Sequence, residues 1–315
     1  MGFKKQEIII PGTYPLSGIL TLPYKDRERH PVVIMIHGSG DIDKDGNAKQ
    51  LNINVFKELS DILVENGFAT LRYDKRGVGQ SEGDFYETGL FDLIDDAAAA
   101  VSFAKKHPEI DKEQVILLGH SEGSILAPAV GKRIAIQGMI LIAGTAEPLA
   151  NTTAWQREQM KRDIESKKGF GGWLLRLLNV SGKIDKINNE LLQKIRSTEE
   201  AIVTYKGKKI NAKWHREHEQ YDVREYLKQV SCPIIAITGT KDVQVHPEHA
   251  REICELVQGT CESYLIEDMT HILRKTKAEA HMDTILKDYR RQAKEPVEQE
   301  LKDKITAWLL RHFPA

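Results

Sequence analysis

The sequence predicts a three-layer α/β fold, in which helices cover both faces of a mostly parallel β-sheet. Short runs rich in β-branched residues alternate along the chain with segments whose apolar residues recur at helical spacing. The short runs are apolar throughout, which is typical of strands that are covered on both faces, as in parallel sheets. The six runs that we interpret as buried strands are residues 32–36, 69–73, 115–118, 139–142, 234–238 and 264–266.

The remaining elements of the predicted core follow from local patterns. Residues 7–11 and 16–22 flank a Gly-Thr-Tyr-Pro turn, which predicts an antiparallel hairpin at the start of the chain. Amphipathic helices are predicted where apolar residues recur at intervals of three and four positions. The segments with this spacing are residues 55–63, 90–104, 125–130 and 297–309.

The composition is that of an ordinary globular protein. Of its 315 residues, 41% are hydrophobic and 29% are charged, and the formal net charge is −1. This balance gives the chain no general attraction for nucleic acid or for an anionic membrane. No apolar run has the length of a membrane span, and the apolar residues 8–10 are too few for the core of a signal peptide.

Three cysteines occur in the last third of the chain, at Cys232, Cys254 and Cys261. Their count is odd, and their spacings are typical of neither a zinc site nor a disulfide framework. We therefore expect reduced thiols and a cytoplasmic location.

One long region lacks the pattern of a buried strand. Within residues 147–229 charged residues are more frequent and helix-forming residues dominate. Such a length is far too great for a plain connection between two strands. We interpret residues 147–229 as a mostly helical lid over the carboxyl edge of the sheet, with residues 1–146 and 230–315 as the core. The apolar residues Trp173 and Leu174 of this lid are expected to face the core or a pocket beneath it.

A Gly-x-Ser-x-Gly motif, Gly119-His120-Ser121-Glu122-Gly123, lies between a predicted strand and a predicted helix. This context is typical of a nucleophile elbow, a sharp turn that projects a serine hydroxyl clear of its own backbone. The serine backbone is strained in such a turn, and the two glycines provide the room that it needs. The sequence therefore predicts Ser121 as a catalytic nucleophile, with the backbone amide of Glu122 as one donor to an oxyanion.

A second glycine-containing loop, His37-Gly38-Ser39-Gly40, directly follows the predicted strand 32–36. A loop at this position supplies the second amide of an oxyanion hole when a serine elbow is present. We expect the amide of Ser39 to be that donor.

The acid and the base of a catalytic triad on this fold follow the serine in the order acid, then histidine. Asp242 follows the predicted strand 234–238, and His271 follows the predicted strand 264–266. Asp242 would orient the histidine and stabilise its charged form, and His271 would act as the base. Asp268 is a rival acid, but it lies on the loop that carries the histidine.

Two patterns resemble metal sites. Residues 41–46 begin like a calcium-binding loop, but the twelfth position is Asn52 instead of a glutamate and no helix precedes the loop. His215 and His218 could share one face of a helix, yet no cluster supplies a third ligand. A solvated lid helix is the favoured interpretation of the two histidines, so we expect neither a metal nor a cofactor.

These residues resemble the α/β-hydrolases of the serine esterase and serine aminopeptidase-like branch. The resemblance covers residues 6–146 and 230–313 and extends to the segment 73–83, which contains Asp-x-Arg-Gly-x-Gly-x-Ser. It implies an α/β-hydrolase fold and an esterase that acts through an acyl-enzyme. For the segment 73–83 we expect a structural role, in which Asp74 and Arg76 form hydrogen bonds within loops.

The expected function is that of a serine hydrolase that cleaves a carboxylic ester of a small molecule. An aminopeptidase or a thioesterase on the same triad is the alternative among enzymes. A catalytically silent binding protein of the same fold is the alternative outside enzymes. The sequence leaves the oligomeric state and the physiological substrate open.

Overall fold

The computed structural model describes residues 3–24, 27–49 and 51–314. The strands of the described chain are β1 (Phe3–Ile10), β2 (Leu16–Pro23), β3 (His30–Ile36), β4 (Ala69–Tyr73), β5 (Ile110–His120), β6 (Gly138–Ile142), β7 (Ile202–Tyr205), β8 (Lys208–Asn211), β9 (Ile234–Gly239) and β10 (Cys261–Ile266). Its helices are α1 (Val55–Glu65), α2 (Leu90–Lys106), α3 (Glu122–Arg133), α4 (Leu149–Ser166), α5 (Gly169–Leu177), α6 (Val180–Arg196), α7 (Ala212–Gln220), α8 (Val223–Leu227), α9 (His249–Leu256), α10 (Ile285–Gln292) and α11 (Gln299–His312).

Eight strands form one twisted central sheet in the order β1-β2-β4-β3-β5-β6-β9-β10. β2 runs antiparallel to both of its neighbours, and the six remaining strands of this sheet, β4, β3, β5, β6, β9 and β10, are parallel to one another. All six predicted buried strands and the predicted hairpin β1–β2 are present. The prediction that every parallel strand is covered on both faces is wrong for β10, because β10 is an edge strand and Leu265 is 49% exposed.

Two hydrophobic layers explain why the central strands are apolar at every position. Val32, Ile34 and Ile36 of β3 pack into the layer under α2 and α3. Val33 and Met35, which point to the other face, pack into the layer under α1 and α11. Each face of the sheet is therefore covered, as the continuous apolar runs predict.

The segment between β6 and β9 holds the helices α4 to α8. It is mostly helical, as the sequence predicts, but it also contains the antiparallel hairpin β7–β8, which the sequence analysis missed. The expectation for two of its apolar residues is wrong. Trp173 is 52% exposed and Leu174 is 39% exposed, so neither is packed into the core.

The expectation of three free thiols is also wrong. Cys254, near the end of α9, forms a disulfide with Cys261, the first residue of β10, across a Cα–Cα distance of 5.2 Å. The turn between α9 and β10 reverses the chain and brings together two cysteines that are seven positions apart. Cys232 is free. None of the helices in the described part of the chain is long and apolar enough to cross a membrane.

Candidate active site

Ser121 lies in the sharp turn between β5 and α3, at the carboxyl edge of the sheet. Its backbone has φ 55° and ψ −117°, a conformation that costs a residue with a side chain about 1–3 kcal/mol. Two glycines make the turn possible. A Cβ atom on Gly119 would lie 2.4 Å from the carbonyl oxygen of Gly123, and one on Gly123 would lie 2.0 Å from that of Ile36. The two glycines therefore provide the room that the sequence predicts.

Ser121, His271 and Asp242 form one line of hydrogen bonds. Nε2 of His271 is 2.9 Å from Oγ of Ser121, and Nδ1 of His271 is 2.8 Å from Oδ2 of Asp242. Both Asp242 and His271 are at least 95% buried. β9 and β10 are parallel neighbours, so the loops that follow them meet at the same edge of the sheet, beside the elbow.

The second oxygen of Asp242 is held by the backbone of its own loop. Oδ1 accepts hydrogen bonds from the amides of Gln244 (2.8 Å) and Val245 (2.9 Å). The carboxylate therefore cannot rotate without losing these bonds, and it presents Oδ2 to His271.

Asp268, the rival acid, points elsewhere. Its carboxylate forms ion pairs with Lys277 (2.7 Å) and Lys241 (2.9 Å), which lower the pKa of Asp268 to about 2. The structure therefore brings His271 together with Asp242 and leaves Asp268 in a separate cluster of ion pairs.

Two further histidines flank the site and are buried in neutral form. Burial, assisted by the nearby His271, lowers the pKa of His120 to about 4, and burial lowers the pKa of His37 to about 3. Nε2 of His120 lies 2.9 Å from the carbonyl oxygen of His271 and, as a neutral N–H donor, holds the loop that carries His271. His37 packs against the rings of Phe56 and Tyr73.

The two predicted oxyanion donors follow β3 and β5, which are parallel neighbours in the sheet. Ser39 borders the same cavity as Ser121 and His271. Glu122 is the first residue of α3, where backbone amides have no partner within the helix. Among the described residues, the amides of Ser39 and Glu122 donate to no other protein group. Both are therefore available to a negatively charged oxygen.

A cavity of about 230 Å³ opens beside Ser121. Most of its lining is apolar, and no aspartate or glutamate of the described chain borders it. The apolar residues that line it include Ile42, Leu51, Ile53, Val55, Phe56, Ile272 and Leu286.

A second cavity, of about 250 Å³, also borders the loop that carries Ser39. Its walls come from the core and from the inserted segment, since they include Phe85, Tyr86, Ile210 and Trp214. Ser39 borders both cavities, so the two meet at the edge of the predicted oxyanion hole.

A cluster of polar side chains surrounds the carboxylate of Glu122, the residue that follows Ser121 in the elbow. The carboxylate of Glu122 accepts hydrogen bonds from Nζ of Lys75 (2.9 Å) and Nε1 of Trp214 (2.6 Å). Nε2 of His218 lies 3.0 Å from the same carboxylate. Burial alone would raise the pKa of Glu122, but Lys75 and His218 outweigh it and lower the pKa to about 2.

Comparison with known proteins assigns the chain to a family. The family model described as "Serine aminopeptidase, S33" matches residues 28–275. The chain belongs to this family. Esterase EstD of Thermotoga maritima is 24% identical over 315 residues, which cover 98% of this chain and 68% of that protein.

Solved structures share the fold of this S33 family member. Est1E from Butyrivibrio proteoclasticus with bound ferulic acid matches with a TM-score of 0.59 and 19% identity, covering 92% of this chain and 99% of that one. The α/β hydrolase GrgF from Penicillium matches with a TM-score of 0.62 and 16% identity over the whole of both chains. The predicted resemblance and the predicted α/β-hydrolase fold are confirmed, and the chain is an esterase-like serine hydrolase.

In this S33 hydrolase the segment 73–83 has the structural contacts that the sequence predicts. Asp74 accepts hydrogen bonds from the amide of Lys44 (2.8 Å) and the amide of Gln80 (3.1 Å). Arg76 binds the carboxylate of Asp96 through two nitrogens, at 2.6 and 3.0 Å. The segment thereby fixes the loops around the elbow to one another.

Three residues of the cluster around Glu122 were missed by the sequence analysis. Lys75 stands between two residues that were assigned structural roles, and Trp214 and His218 lie in the inserted segment. The interpretation of His218 as part of a solvated helix is wrong, because its side chain is 3% exposed. The signal that could have identified Lys75 is a lysine placed two residues after a fully buried strand, where an unpaired charge is costly. Among the described residues, no group of three or more acidic, histidine or cysteine side chains could hold a metal ion.

Proposed function

We propose that this hydrolase cleaves carboxylic esters of small molecules through an acyl-enzyme on Ser121. The observation that carries the proposal is the continuous line of hydrogen bonds from Ser121 through His271 to Asp242, placed at the mouth of an apolar cavity. A serine hydroxyl is a weak nucleophile until a neighbouring base accepts its proton, and this line supplies such a base together with the group that orients it.

The reaction follows from these contacts. Nε2 of His271 accepts the proton of Ser121 while Oγ attacks the carbonyl carbon of the ester. Asp242 keeps Nδ1 protonated and stabilises the imidazolium that forms. His271 then donates the proton to the departing alcohol, which leaves the acyl group on Oγ. A water molecule repeats the sequence, with His271 as its base, and releases the acid and free Ser121.

The tetrahedral intermediate carries its negative charge on the former carbonyl oxygen. We assign its stabilisation to the amides of Ser39 and Glu122, which are both unpaired in the described chain. Preorganised donors of this kind need no reorientation during the reaction, and the loss of one costs about two to three orders of magnitude in kcat.

The two cavities support an ester in preference to a peptide with a free N-terminus. An aminopeptidase would need a carboxylate near the bound ammonium group, and the described lining residues of both cavities include no acid. The acids of α4 are bound to other groups: Asp163 binds His281 and the amide of Met282. Glu158 accepts a hydrogen bond from Lys161, and Glu165 accepts one from Ser181. We assign the acyl group to the apolar cavity beside Ser121 and the alcohol to the second cavity.

Residues 147–229 are proposed to form the lid of this enzyme, and residues 1–146 and 230–315 its core. Support comes from Trp214 of α7, which lines the second cavity and contacts Glu122 of the elbow. The cytoplasmic location expected from the cysteines stays a prediction, and the disulfide between Cys254 and Cys261 removes the observation on which it rested.

Replacement of the serine tests the proposal. Ser121→Ala should lower kcat for a short p-nitrophenyl ester by about 10⁶-fold, because the nucleophile is lost while the fold is retained. Ser102→Ala, which removes a hydroxyl bonded only to its own helix, is the matched control and should keep full activity.

A fluorophosphonate probe separates the remaining alternatives. The wild-type protein should be labelled at Ser121, and Ser121→Ala should not be labelled. Absence of labelling in the wild-type protein would favour a catalytically silent binding protein. Acyl thioesters and aminoacyl amides, run beside esters of the same acyl group, should be cleaved more slowly; a faster rate on either would reassign the substrate class.

A further inference from the structure

The peptide unit between Gly38 and Ser39 is bound by a buried lysine through its carbonyl oxygen. Nζ of Lys75 donates a hydrogen bond of 2.5 Å to the carbonyl oxygen of Gly38. In a trans peptide the carbonyl oxygen and the N–H of the next residue belong to one plane and point in opposite directions. A group that fixes the carbonyl of Gly38 therefore also fixes the direction of the amide of Ser39.

Gly38 needs such a restraint because of its position. A Cβ atom at residue 38 would lie 3.2 Å from Cβ of Ser121, so the loop passes very close to the nucleophile. The glycine that permits this approach also allows its backbone to rotate more freely than other residues would. A rotated peptide would turn its carbonyl oxygen, instead of its N–H, toward a developing negative charge.

The lysine is itself held by the other side of the oxyanion hole. The side chain of Lys75 is 4% exposed, and its positive charge is compensated by the carboxylate of Glu122 at 2.9 Å. Glu122 is also the residue whose backbone amide is the second oxyanion donor. The ion pair consequently connects the two donors, one through the Gly38–Ser39 peptide and the other through the backbone of Glu122.

The carboxylate of Glu122 divides its two oxygens between two partners. Oε2 faces Lys75, and Oε1 faces Trp214 and His218 of α7. A carboxylate that is bound at both oxygens has a fixed orientation. Helix α7 therefore helps to direct Oε2 toward Lys75.

We propose that Lys75 is a positioning residue of the oxyanion hole: paired with Glu122, it holds the Gly38–Ser39 peptide so that the Ser39 amide faces the substrate oxygen. The proposal rests on the proposed function, since it presupposes that Ser39 is an oxyanion donor. The positive charge at the carbonyl also polarises the peptide, which makes the Ser39 N–H a stronger donor. Lys75 contributes to turnover without contact to the reacting atoms.

The test compares Lys75→Met with wild-type protein. Methionine keeps the length of the side chain and removes its charge and its donors. We expect kcat for a p-nitrophenyl ester to fall about 10- to 100-fold, with KM within about threefold, because an oxyanion donor acts in the transition state and hardly in the ground state. A trifluoromethyl ketone, whose adduct with Ser121 carries an oxyanion, should lose affinity by the same factor as kcat/KM.

Lys44→Met is the matched control. Lys44 forms a comparable ion pair with Asp74, the neighbour of Lys75, at 2.8 Å. Loss of this pair leaves the Gly38 carbonyl bound, so kcat should stay within about twofold of the wild-type value and the trifluoromethyl ketone should bind as before.

A purely structural role of Lys75 would give a different set of results for Lys75→Met. The variant would then unfold more easily, while kcat per folded molecule and affinity for the trifluoromethyl ketone would stay unchanged, and this result overturns the proposal. If Lys75→Met does not fold, the double variant Lys75→Met with Glu122→Gln removes both buried charges and is judged by the same two measurements. Failure of the proposed function is recognised separately, by full activity of Ser121→Ala.

Discussion

The groups on the two sides of Ser121 are both largely buried and rich in hydrogen bonds, but they differ in chemistry. On one side His271 stands between a hydroxyl and a carboxylate, at 2.9 and 2.8 Å, with one ring nitrogen toward each. On the other side Lys75 and Glu122 form an ion pair at 2.9 Å. The first side can pass a proton along its bonds, and the second side carries fixed charges that compensate each other.

The difference is visible in how the groups are supported. Asp242 and His271 follow neighbouring strands, and their positions depend on two adjacent loops. Lys75, Glu122 and Trp214 come from three separate parts of the chain, which are the loop after β4, the start of α3 and helix α7. In the proposed mechanism, Ser121 thus lies between a side where a proton moves and a side where the backbone must stay still. The following experiments test that distinction, beginning with the largest expected effect.

Asp242→Asn changes the side of Ser121 on which we propose that a proton moves. An asparagine keeps the shape of the side chain but cannot hold His271 in the tautomer that accepts the serine proton. We expect kcat to fall by about 10⁴-fold, with a nearly unchanged fold, as measured by ester hydrolysis and circular dichroism.

Asp268→Asn is the control for this substitution. Asp268 lies on the loop of His271 and binds Lys241 and Lys277. The substitution is therefore chemically equivalent and close to the site, but it lies outside the line of hydrogen bonds from Ser121 to Asp242. Its kcat should stay within about twofold of wild type. A greater loss in Asp268→Asn than in Asp242→Asn would show that the acid has been assigned to the wrong residue.

That Ser121, His271 and Asp242 lie together could be predicted from the sequence, and the cluster around Glu122 could not. Ser121, Asp242 and His271 each follow a buried strand, and the order of the strands brings their loops to one edge. Trp214 is 92 positions from its partner Glu122, and it reaches it from an insertion whose packing has no sequence pattern. Strand patterns determine a fold and the loops at its edge, but they do not determine how an insertion packs against it.

The disulfide was missed for a related reason. A pair of cysteines seven positions apart is uninformative until the turn between α9 and β10 is known. The exposure of Trp173 likewise depends on which face of α5 meets the rest of the chain, and an apolar residue alone does not specify that face.

Removal of this disulfide tests whether the geometry on the two sides of Ser121, and with it kcat, depends on a covalent bond away from the site. Cys254→Ser opens a loop with a sequence separation of seven, and the free energy of unfolding should fall by about 2.5 kcal/mol by the loop-entropy relation. The kcat of the folded protein should not change, because the disulfide lies at the start of β10 and His271 follows its end. Cys232→Ser, which removes the free thiol, should leave the unfolding free energy within about 1 kcal/mol. A large loss of kcat in Cys254→Ser would contradict this independence.

Acid should affect the two buried histidines and the carboxylate of Glu122 in different pH ranges. His37 and His120 have pKa values of about 3 and about 4 in the folded protein, against 6.5 for an unperturbed histidine, because burial disfavours their charged forms. The unfolded chain therefore takes up protons first. The stability that these histidines contribute is complete above pH 6.5 and is lost as the pH falls below it.

Between pH 8 and pH 5, each of the two histidines should lower the free energy of unfolding by about 2 kcal/mol. Glu122 behaves differently, because its pKa falls from 4.5 to about 2 and its contribution is retained down to about pH 4.5. The free energy of unfolding of both proteins can be measured with urea at pH 8 and at pH 5. Its decrease from pH 8 to pH 5 should be smaller in His37→Gln than in wild type by about 2 kcal/mol. An equal loss in both proteins would mean that His37 is already protonated in the folded state.

Trp214→Phe makes the smallest change and tests the contact between helix α7 and the carboxylate of Glu122. Phenylalanine keeps most of the aromatic surface and removes the N–H that donates to Glu122 at 2.6 Å. Since Lys75 and His218 still bind the carboxylate, the free energy of unfolding should fall by only about 1.5 kcal/mol. The kcat should fall by less than about threefold, because the Gly38 carbonyl keeps its lysine. If kcat instead fell as far as in Lys75→Met, the orientation of the Ser39 peptide would depend on helix α7 as much as on the ion pair, and the boundary between core and lid would run through the oxyanion hole itself.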